Sequence, residues 1–115
     1  DVPAMRRIFA DYVRRKTERN LVDYDDLLLF WAAMLHGDAA LGARLAGLYD
    51  HVLVDEYQDT NPVQARILAG LCAGHRNLTV VGDDAQSIYA FRGATVRNIL
   101  DFPAEWPGAT LVTLD

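Results

Sequence analysis

The chain has 115 residues, of which 51% are hydrophobic and 23% charged, and its formal net charge is −5. The apolar fraction excludes a disordered chain, and 8 Gly and 4 Pro scattered along the sequence exclude a continuous coiled coil. The longest apolar run, residues 27–35, is about half as long as the ~20 residues that a membrane-spanning helix needs. No secretory signal is readable, and the single cysteine, Cys72, excludes an internal disulfide. Composition therefore indicates one compact domain of a reducing compartment.

The charge is unevenly distributed along the chain. Residues 1–20 contain six cationic and three anionic side chains, whereas the remaining residues contain five and thirteen. An acidic body argues against binding that depends on general neutralisation of nucleic-acid phosphates. It leaves open a nucleic-acid site made of stacking aromatic rings and a few arginines. We interpret the basic N-terminal segment itself as a solvated helix face.

Apolar spacing predicts three helices in the first part of the chain. The first covers residues 3–19, with Pro3 in its first turn. The second covers residues 23–37, with Asp23 as N-cap and a glycine as its end. Its middle is apolar all round, so we expect it to be buried on more than one side, with Trp31 in the core. A weaker pattern predicts a third helix over residues 39–49.

Three short, continuous apolar runs follow, at residues 51–54, 78–81 and 110–114. Continuous hydrophobicity is typical of strands covered on both faces, as in a parallel sheet. A helix that begins after Asn61 and ends at Gly74 separates the first two runs, and another over about residues 95–102 separates the last two. The order predicts an α/β fold with a parallel sheet and flanking helices, the middle of a doubly wound domain.

Two adjacent carboxylates, Asp55 and Glu56, follow the first predicted strand. The carboxyl ends of strands are where open α/β sheets bind ligands. An acidic pair there is costly without a bound cation, which favours a divalent metal. In nucleotide hydrolysis such an Asp holds Mg²⁺, and a neighbouring carboxylate orients or deprotonates the attacking water. The alternative is that the pair only caps the turn after the strand.

A second polar segment follows the second predicted strand, at the same edge of the sheet. Gly82 allows a tight exit from the strand. Gln86 can both donate and accept hydrogen bonds, which suits a sensor of a terminal phosphate or of its attacking water. Tyr89, Phe91 and Arg92 place two aromatic rings and a guanidinium within four residues, and base stacking on such groups contributes about 1–3 kcal/mol per base. The alternative is that the two aromatic residues belong to the core.

Together these segments resemble motifs II and III of the UvrD/Rep/PcrA-like superfamily 1 DNA helicases. The residues concerned are Asp-Glu-Tyr-Gln-Asp-Thr-Asn at 55–61 and Val-Val-Gly-Asp-Asp-Ala-Gln-Ser-Ile-Tyr-Ala-Phe-Arg-Gly-Ala at 80–94. Residues 23–28 are similar to a segment that re-enters the first motor domain, and residues 110–115 to the strand before the family's Asn-Tyr-Arg-Ser segment. The resemblance implies a partial RecA-like P-loop NTPase domain at residues 21–115. It makes residues 1–20 a helical segment at the end of an inserted subdomain.

The resemblance also implies ATP and Mg²⁺ as cofactors and assigns roles to individual residues. Asp55 would bind the Mg²⁺ of MgATP, Glu56 would activate water, and Gln86 would contact the γ-phosphate and link hydrolysis to DNA. Single-stranded DNA would contact Tyr89, Phe91 and Arg92, with Phe91 as the stacking aromatic. One departure is Ala85, which stands where many members of the family have an aspartate.

For the whole protein the resemblance implies an ATP-dependent helicase that moves 3′ to 5′ on single-stranded DNA and unwinds duplex DNA. It implies DNA repair in a bacterial-type cytoplasm at the nucleoid, with DNA, ATP and the remaining helicase domains as partners and no membrane. The sequence contains no Gly-x-x-x-x-Gly-Lys-[Ser/Thr] phosphate-binding loop. We therefore expect these 115 residues to be a fragment that neither hydrolyses ATP at a useful rate nor unwinds DNA alone.

Three alternatives stay open at this point. A non-catalytic module could bind single strands through Tyr89, Phe91 and Arg92, and a helicase subunit of a helicase–nuclease would share the same motifs. A two-metal nuclease would instead leave residues 86–93 unexplained, and its cluster would consist of Asp55, Glu56, Asp59, Asp83 and Asp84. The three histidines and the cysteine lack metal-ligand spacing, so we expect them to have structural or solvent-facing roles.

Overall fold

The computed structural model describes residues 1–83 and 98–114 of the chain. Three helices are followed by two short strands that flank a 3₁₀ helix and a fourth α-helix, and a fifth helix comes last. The elements are α1 (Val2–Glu18), α2 (Tyr24–Gly37), α3 (Ala39–Ala46), β1 (Val52–Val54), the 3₁₀ helix (Tyr57–Asp59), α4 (Pro62–Leu71), β2 (Leu78–Val80) and α5 (Asn98–Glu105). The predicted α/β class is confirmed at this level.

Reciprocal side-chain caps fix the starts of two helices. The Asp23 carboxylate accepts from the backbone N–H of Asp26 at 2.8 Å, and the Asp26 carboxylate accepts from that of Asp23 at 3.0 Å. Asn61 and Gln64 form the same capping box at the start of α4, at 2.9 and 3.1 Å. Both predicted N-caps are therefore confirmed, since such caps depend on residues three apart in sequence.

The ends of the helices were predicted less accurately. The third helix ends at Ala46 rather than at residue 49, and α4 ends at Leu71 rather than at Gly74. The last helix ends at Glu105, three residues beyond the prediction, and includes Pro103. Helix ends fray and lack a strong side-chain signal, so these are the positions where sequence patterns are least informative.

The two described strands pair in parallel, with Val52 opposite Leu78 and Val54 opposite Val80. Val52 and Leu78 pack against the core, whereas Leu53, on the other face, is 75% exposed. The expectation that both faces are covered is therefore wrong for the described residues, because Leu53 is left exposed to solvent. Among described residues the sheet has these two strands.

The third predicted strand, residues 110–114, is not a strand in the structure. Its large side chains Leu111, Val112 and Leu114 are 72–84% exposed. A strand needs hydrogen bonds to a neighbouring strand, and no described residue provides a ladder for this segment. The apolar run alone was not sufficient to predict a strand here.

The core lies between α2 and α4. Its buried residues are Ala32, Leu35, Ile67, Leu71 and Cys72, and Trp106 packs against them. The expectation that Trp31 lies in the core is wrong, because its side chain is 41% exposed. Helix α2 packs against α3 and α4, but its large apolar side chains Leu27, Leu29, Phe30 and Met34 are 43–56% exposed, so the expectation of burial on more than one side is wrong.

Helix α1 has no buried residue. Its arginines are solvent-exposed, and Arg14 and Arg15 form ion pairs with Asp11 and Glu18 on the same helix, whereas Lys16 is part-buried against Asp23 and Asp26. The interpretation of the basic segment as a solvated face is thus confirmed for its arginines and wrong for Lys16. None of the described helices is both long enough and apolar enough to cross a bilayer.

Candidate functional site

Asp55 and Glu56 lie at the carboxyl end of β1, and both side chains are exposed. The backbone N–H of Glu56 donates to Oδ1 of Asp55 at 2.8 Å. Glu56 adopts φ 51° and ψ 45°, the left-handed region that non-glycine residues seldom occupy. Such conformations cost about 1–3 kcal/mol and persist where the surroundings enforce them, often at functional sites. The two carboxylates therefore stand on a sharp, sterically costly turn.

The two residues that follow the acidic pair are buried and anchor this turn in the protein. Tyr57 and Gln58 are each only 3% exposed, although the two carboxylates immediately before them face solvent. The backbone N–H groups of Asp59 and Thr60 donate to the carbonyls of Glu56 and Tyr57 at 2.9 and 3.0 Å. The 3₁₀ helix thus closes the turn directly after the acidic pair.

The same turn is bonded to the residues that follow β2. The Tyr57 N–H donates to the Val81 carbonyl at 2.9 Å, and the Val81 N–H donates to the Val54 carbonyl at 2.8 Å. Oε1 of Gln58 accepts from the backbone N–H of Asp83 at 3.0 Å. The starts of the two polar segments are therefore adjacent, as expected at the carboxyl edge of a parallel sheet.

Gly82 lies at the closest point of this contact. A Cβ atom there would stand 2.9 Å from Cδ1 of Ile99 and 3.1 Å from Oε1 of Gln58. Glycine is therefore needed at this exit from the strand because α5 and the 3₁₀ helix come too close to residue 82 to leave room for a side chain. Sequence reasoning gave Gln58 no role of its own, because nothing in a sequence distinguishes a buried glutamine from an exposed one.

Tyr57 joins the turn to α5. Its hydroxyl donates to Oε2 of Glu105 at 3.4 Å, and its ring meets the Phe102 ring edge-on, with centroids 5.3 Å apart. Burial, assisted by the negative charge of Glu105, raises the pKa of Tyr57 to about 12. The phenol is therefore protonated at neutral pH and serves as a hydrogen-bond donor.

The acidic pair is suited to a divalent cation because no described cationic side chain neutralises its charge. No Lys, Arg or His within residues 1–83 and 98–114 lies at ion-pair distance from Asp55 or Glu56. Mg²⁺ is commonly bound by one or two carboxylates together with waters and substrate phosphates. Asp55 and Glu56 match that donor set.

A larger metal cluster has no support in the described part of the chain. No group of three or more His, Cys, Asp or Glu side chains is arranged there to hold a metal. Asp55, Glu56, Asp59 and Asp83 are all described, whereas Asp84, the fifth member of the nuclease alternative, lies outside the described residues. The described arrangement does not favour a two-metal nuclease.

The histidines and the cysteine make separate contacts. Nε2 of His36 bonds the Arg66 carbonyl at 2.7 Å, Nε2 of His51 bonds Oγ1 of Thr79 at 2.9 Å, and Nδ1 of His75 accepts from the Asn77 N–H at 2.9 Å. Cys72 is buried, which raises the pKa of its thiol and disfavours the nucleophilic thiolate. These contacts agree with the expected structural roles.

Four of the predicted site residues lie outside the described residues: Gln86, Tyr89, Phe91 and Arg92. Their roles in contacting nucleotide and single-stranded DNA stay predictions. The structure brings together the other predicted residues, Asp55 and Glu56, with the start of the second segment at Gly82 and Asp83.

Comparison with known proteins identifies the family. Residues 2–107 match the UvrD/REP helicase N-terminal domain, so the chain belongs to this family.

Individual relatives agree. The chain is 39% identical, over its whole length, to the ATP-dependent DNA helicase UvrD2 of Mycobacterium tuberculosis. It is 40% identical, over 97% of its length, to the ATP-dependent DNA helicase UvrD1 of the same organism. A putative ATP-dependent DNA helicase, YjcD of Bacillus subtilis, is 39% identical over 94% of the chain. The chain spans 17%, 15% and 14% of these three relatives respectively.

Proposed function

We propose that the chain is the motif II and motif III region of an ATP-dependent DNA helicase. In this proposal residues 21–115 belong to the first RecA-like motor domain, and residues 1–20 end its inserted helical subdomain. The observation that supports it most is the position of Asp55 and Glu56, two exposed carboxylates at the carboxyl end of β1, hydrogen-bonded through the next turn to the exit of β2. The relatives' names, ATP-dependent DNA helicases, point to the same activity.

Asp55 would hold Mg²⁺ and Glu56 would act on water. Bound Mg²⁺ neutralises charge on the phosphates of ATP and so stabilises the transferring phosphoryl group. Glu56, one residue further, accepts a proton from the attacking water or orients it. The left-handed backbone of Glu56 sets the direction in which its side chain leaves the turn, next to Asp55, and a defined direction of this kind favours catalysis that depends on orientation.

The DNA side of the proposal depends on the second segment. Gln86 contacts the γ-phosphate, and Tyr89, Phe91 and Arg92 contact single-stranded DNA, so that hydrolysis and movement are coupled along one stretch of chain. Movement is 3′ to 5′ and leads to unwinding of duplex DNA. The protein would act at the nucleoid in DNA repair, together with the remaining helicase domains.

These 115 residues alone would be inactive in this proposal. They lack the phosphate-binding loop and its lysine, without which the phosphates of ATP have no cradle. We expect the purified chain to show no DNA-stimulated ATPase activity. Robust activity would contradict this part of the proposal.

The test is the ATPase activity of the full-length protein in the presence of single-stranded DNA. We expect Asp55→Asn to reduce kcat on the order of a hundredfold, the scale of removing one electrostatic stabiliser from an active site. The matched control is Asp50→Asn, because Asp50 is an exposed carboxylate just before the other end of β1. Equal activity of the two variants would overturn the assignment of Asp55.

The same variants distinguish the nuclease alternative. Metal-dependent DNA cleavage that Asp55→Asn abolishes and Asp50→Asn leaves intact would favour a nuclease. Absence of cleavage, with ATP hydrolysis that responds to DNA, favours the helicase.

A further inference from the structure

We propose that Gln58 and Tyr57 are positioning residues that couple the acidic pair Asp55–Glu56 to the segment expected to contact DNA. The inference rests on the proposed function, since it concerns the communication between nucleotide and DNA. It concerns two side chains that are buried although Asp55 and Glu56 beside them are exposed, and whose burial the sequence did not indicate.

The first observation is the position of the 3₁₀ helix. It begins directly after Glu56, which is its N-cap, so no flexible linker separates the acidic pair from this turn. Its first two side chains are 3% exposed and are held in a close-packed environment. Close-packed interiors transmit displacement rather than absorb it.

The second observation is that the turn holds the residues just before the DNA-contacting segment. Gln58 accepts the N–H of Asp83 at 3.0 Å, one residue before residue 84. This is a buried glutamine side chain bonded to a backbone group 25 positions away in sequence. Buried polar groups are costly unless bonded, so the contact specifies one arrangement of the two segments.

The third observation is that the turn also holds the residues just after that segment. Helix α5 begins at Asn98, and its Phe102 ring packs edge-on against Tyr57, whose hydroxyl bonds Glu105. Ile99 approaches Gly82 so closely that a Cβ there would come within 2.9 Å of it.

The chain enters residues 84–97 from Asp83, which bonds Gln58, and leaves them into α5, which contacts Tyr57. Both neighbouring segments are therefore attached to the 3₁₀ helix after β1. In sequence this stretch contains Gln86, Tyr89, Phe91 and Arg92, the residues expected to contact γ-phosphate and DNA. The 3₁₀ helix itself follows Asp55 and Glu56 directly in the chain. The structure thus assigns Gln58 to the upstream attachment and Tyr57 to the downstream one.

The experiment measures the ATPase rate of the full-length protein with and without single-stranded DNA, and uses the ratio of the two rates. Gln58→Met keeps the length of the side chain and removes the acceptor. We expect it to lower the ratio by roughly three- to tenfold, the effect of losing one hydrogen bond. The matched control is Gln64→Met, because Oε1 of Gln64 also accepts a backbone N–H, from Asn61 at 3.1 Å, within the cap of α4.

A purely structural role of Gln58 would lower thermal stability without changing the ratio. An unchanged ratio in Gln58→Met, or an equal loss in Gln64→Met, overturns the inference. Tyr57→Phe provides a second test that keeps the ring and removes the bond to Glu105, and it decides the question if Gln58→Met does not fold. We expect a loss of about twofold, because the hydroxyl contact at 3.4 Å is long for a hydrogen bond. An unchanged ratio in Tyr57→Phe contradicts the downstream attachment.

Failure of this inference is distinguishable from failure of the proposed function. A wild-type protein whose ATPase does not respond to DNA refutes the helicase proposal. A wild-type protein that responds, with variants that respond equally, refutes only the coupling through Gln58 and Tyr57.

Discussion

The turn after β1 and helix α1 are attached to the rest of the protein in opposite ways. The turn is short, and its Tyr57 and Gln58 are almost completely buried and contact both α5 and the residues that follow β2. Helix α1 has 17 residues and none of them is buried. Its described attachment is polar: Lys16 bonds the carboxylates of Asp23 and Asp26 at 2.9 and 2.7 Å, and the Tyr12 hydroxyl donates to Asp23 at 2.8 Å.

The comparison shows that an amphipathic pattern and a buried position are different properties. Helix α1 has the clear apolar spacing, with Met5, Ile8 and Phe9 on one side, yet each of these is more than half exposed. The turn after β1 has no periodic pattern and reads as polar, yet it is where α5 and the two strands meet. Burial depends on what the rest of the chain places against a residue, and a pattern reports only what a residue could bury.

The largest expected effect contrasts two isoleucines. Ile67→Ala removes a core side chain that is 4% exposed, and we expect it to cost about 2–5 kcal/mol in the free energy of unfolding. Ile8→Ala on α1, where the side chain is 67% exposed, should change it by less than about 0.5 kcal/mol. Urea unfolding of the 115-residue chain measures both. Equal costs would show that α1 is packed as firmly as the core.

A second contrast uses two glycines. Gly82→Ala introduces a Cβ that would press on Ile99 and Gln58, and we expect it to destabilise the protein by about 1–3 kcal/mol. Gly37→Ala places its Cβ where no atom of the described residues lies within 4 Å, so it should be neutral or stabilise by about 0.4–1 kcal/mol. Thermal unfolding of the two variants decides, and a tolerated Gly82→Ala would refute the close contact at the turn.

A third prediction concerns the polar attachment of α1. Lys16→Met removes the bonds to Asp23 and Asp26, so backbone hydrogen exchange should accelerate in α1 and stay unchanged in α4. The N–H of Asp26 and then Lys16 hold the pKa of Asp23 below its usual 3.8, so the contribution of the Asp23 carboxylate is complete above pH 3.8 and is lost only as the pH falls further. Exchange in α1 that is already fast in the wild type at neutral pH would contradict the attachment.

The last prediction concerns the free energy of unfolding at alkaline pH. Because the pKa of Tyr57 is raised to about 12, mainly by burial, its contribution to stability is complete below pH 10 and is lost as the pH rises from about 10 to about 12. Tyr57→Phe should remove this pH-dependence from the free energy of unfolding. A pH profile identical to that of the wild type would show that Tyr57 titrates normally.

The sequence predicted the features that depend on residues near one another in the chain. The caps at Asp23 and Asn61 and the parallel pair of short strands were predicted for stated reasons and are confirmed. The predictions that failed depend on partners: the exposed Trp31, the uncovered face at Leu53 and the absent strand at 110–114 each concern what packs or pairs with a segment. Propensity and pattern do not supply that information.

The same distinction applies to the site. Asp55 and Glu56 could be predicted because a strand that ends in two carboxylates is a local pattern with a chemical meaning. The contact between Gln58 and Asp83 could not, because it joins residues 25 positions apart through a side chain that the pattern would leave in solvent. The left-handed backbone of Glu56 was equally inaccessible, since glutamate has no preference for that region.

The most direct test of the central claim is Glu56→Gln in the full-length protein, with Asp50→Asn as control. Binding of an ATP analogue and steady-state hydrolysis in the presence of single-stranded DNA are measured on the same preparations. We predict that Glu56→Gln binds nucleotide as the wild type does and loses turnover, because the variant keeps the shape of the side chain and removes the base. Retained turnover in Glu56→Gln would contradict the assignment of this turn as the site of ATP hydrolysis.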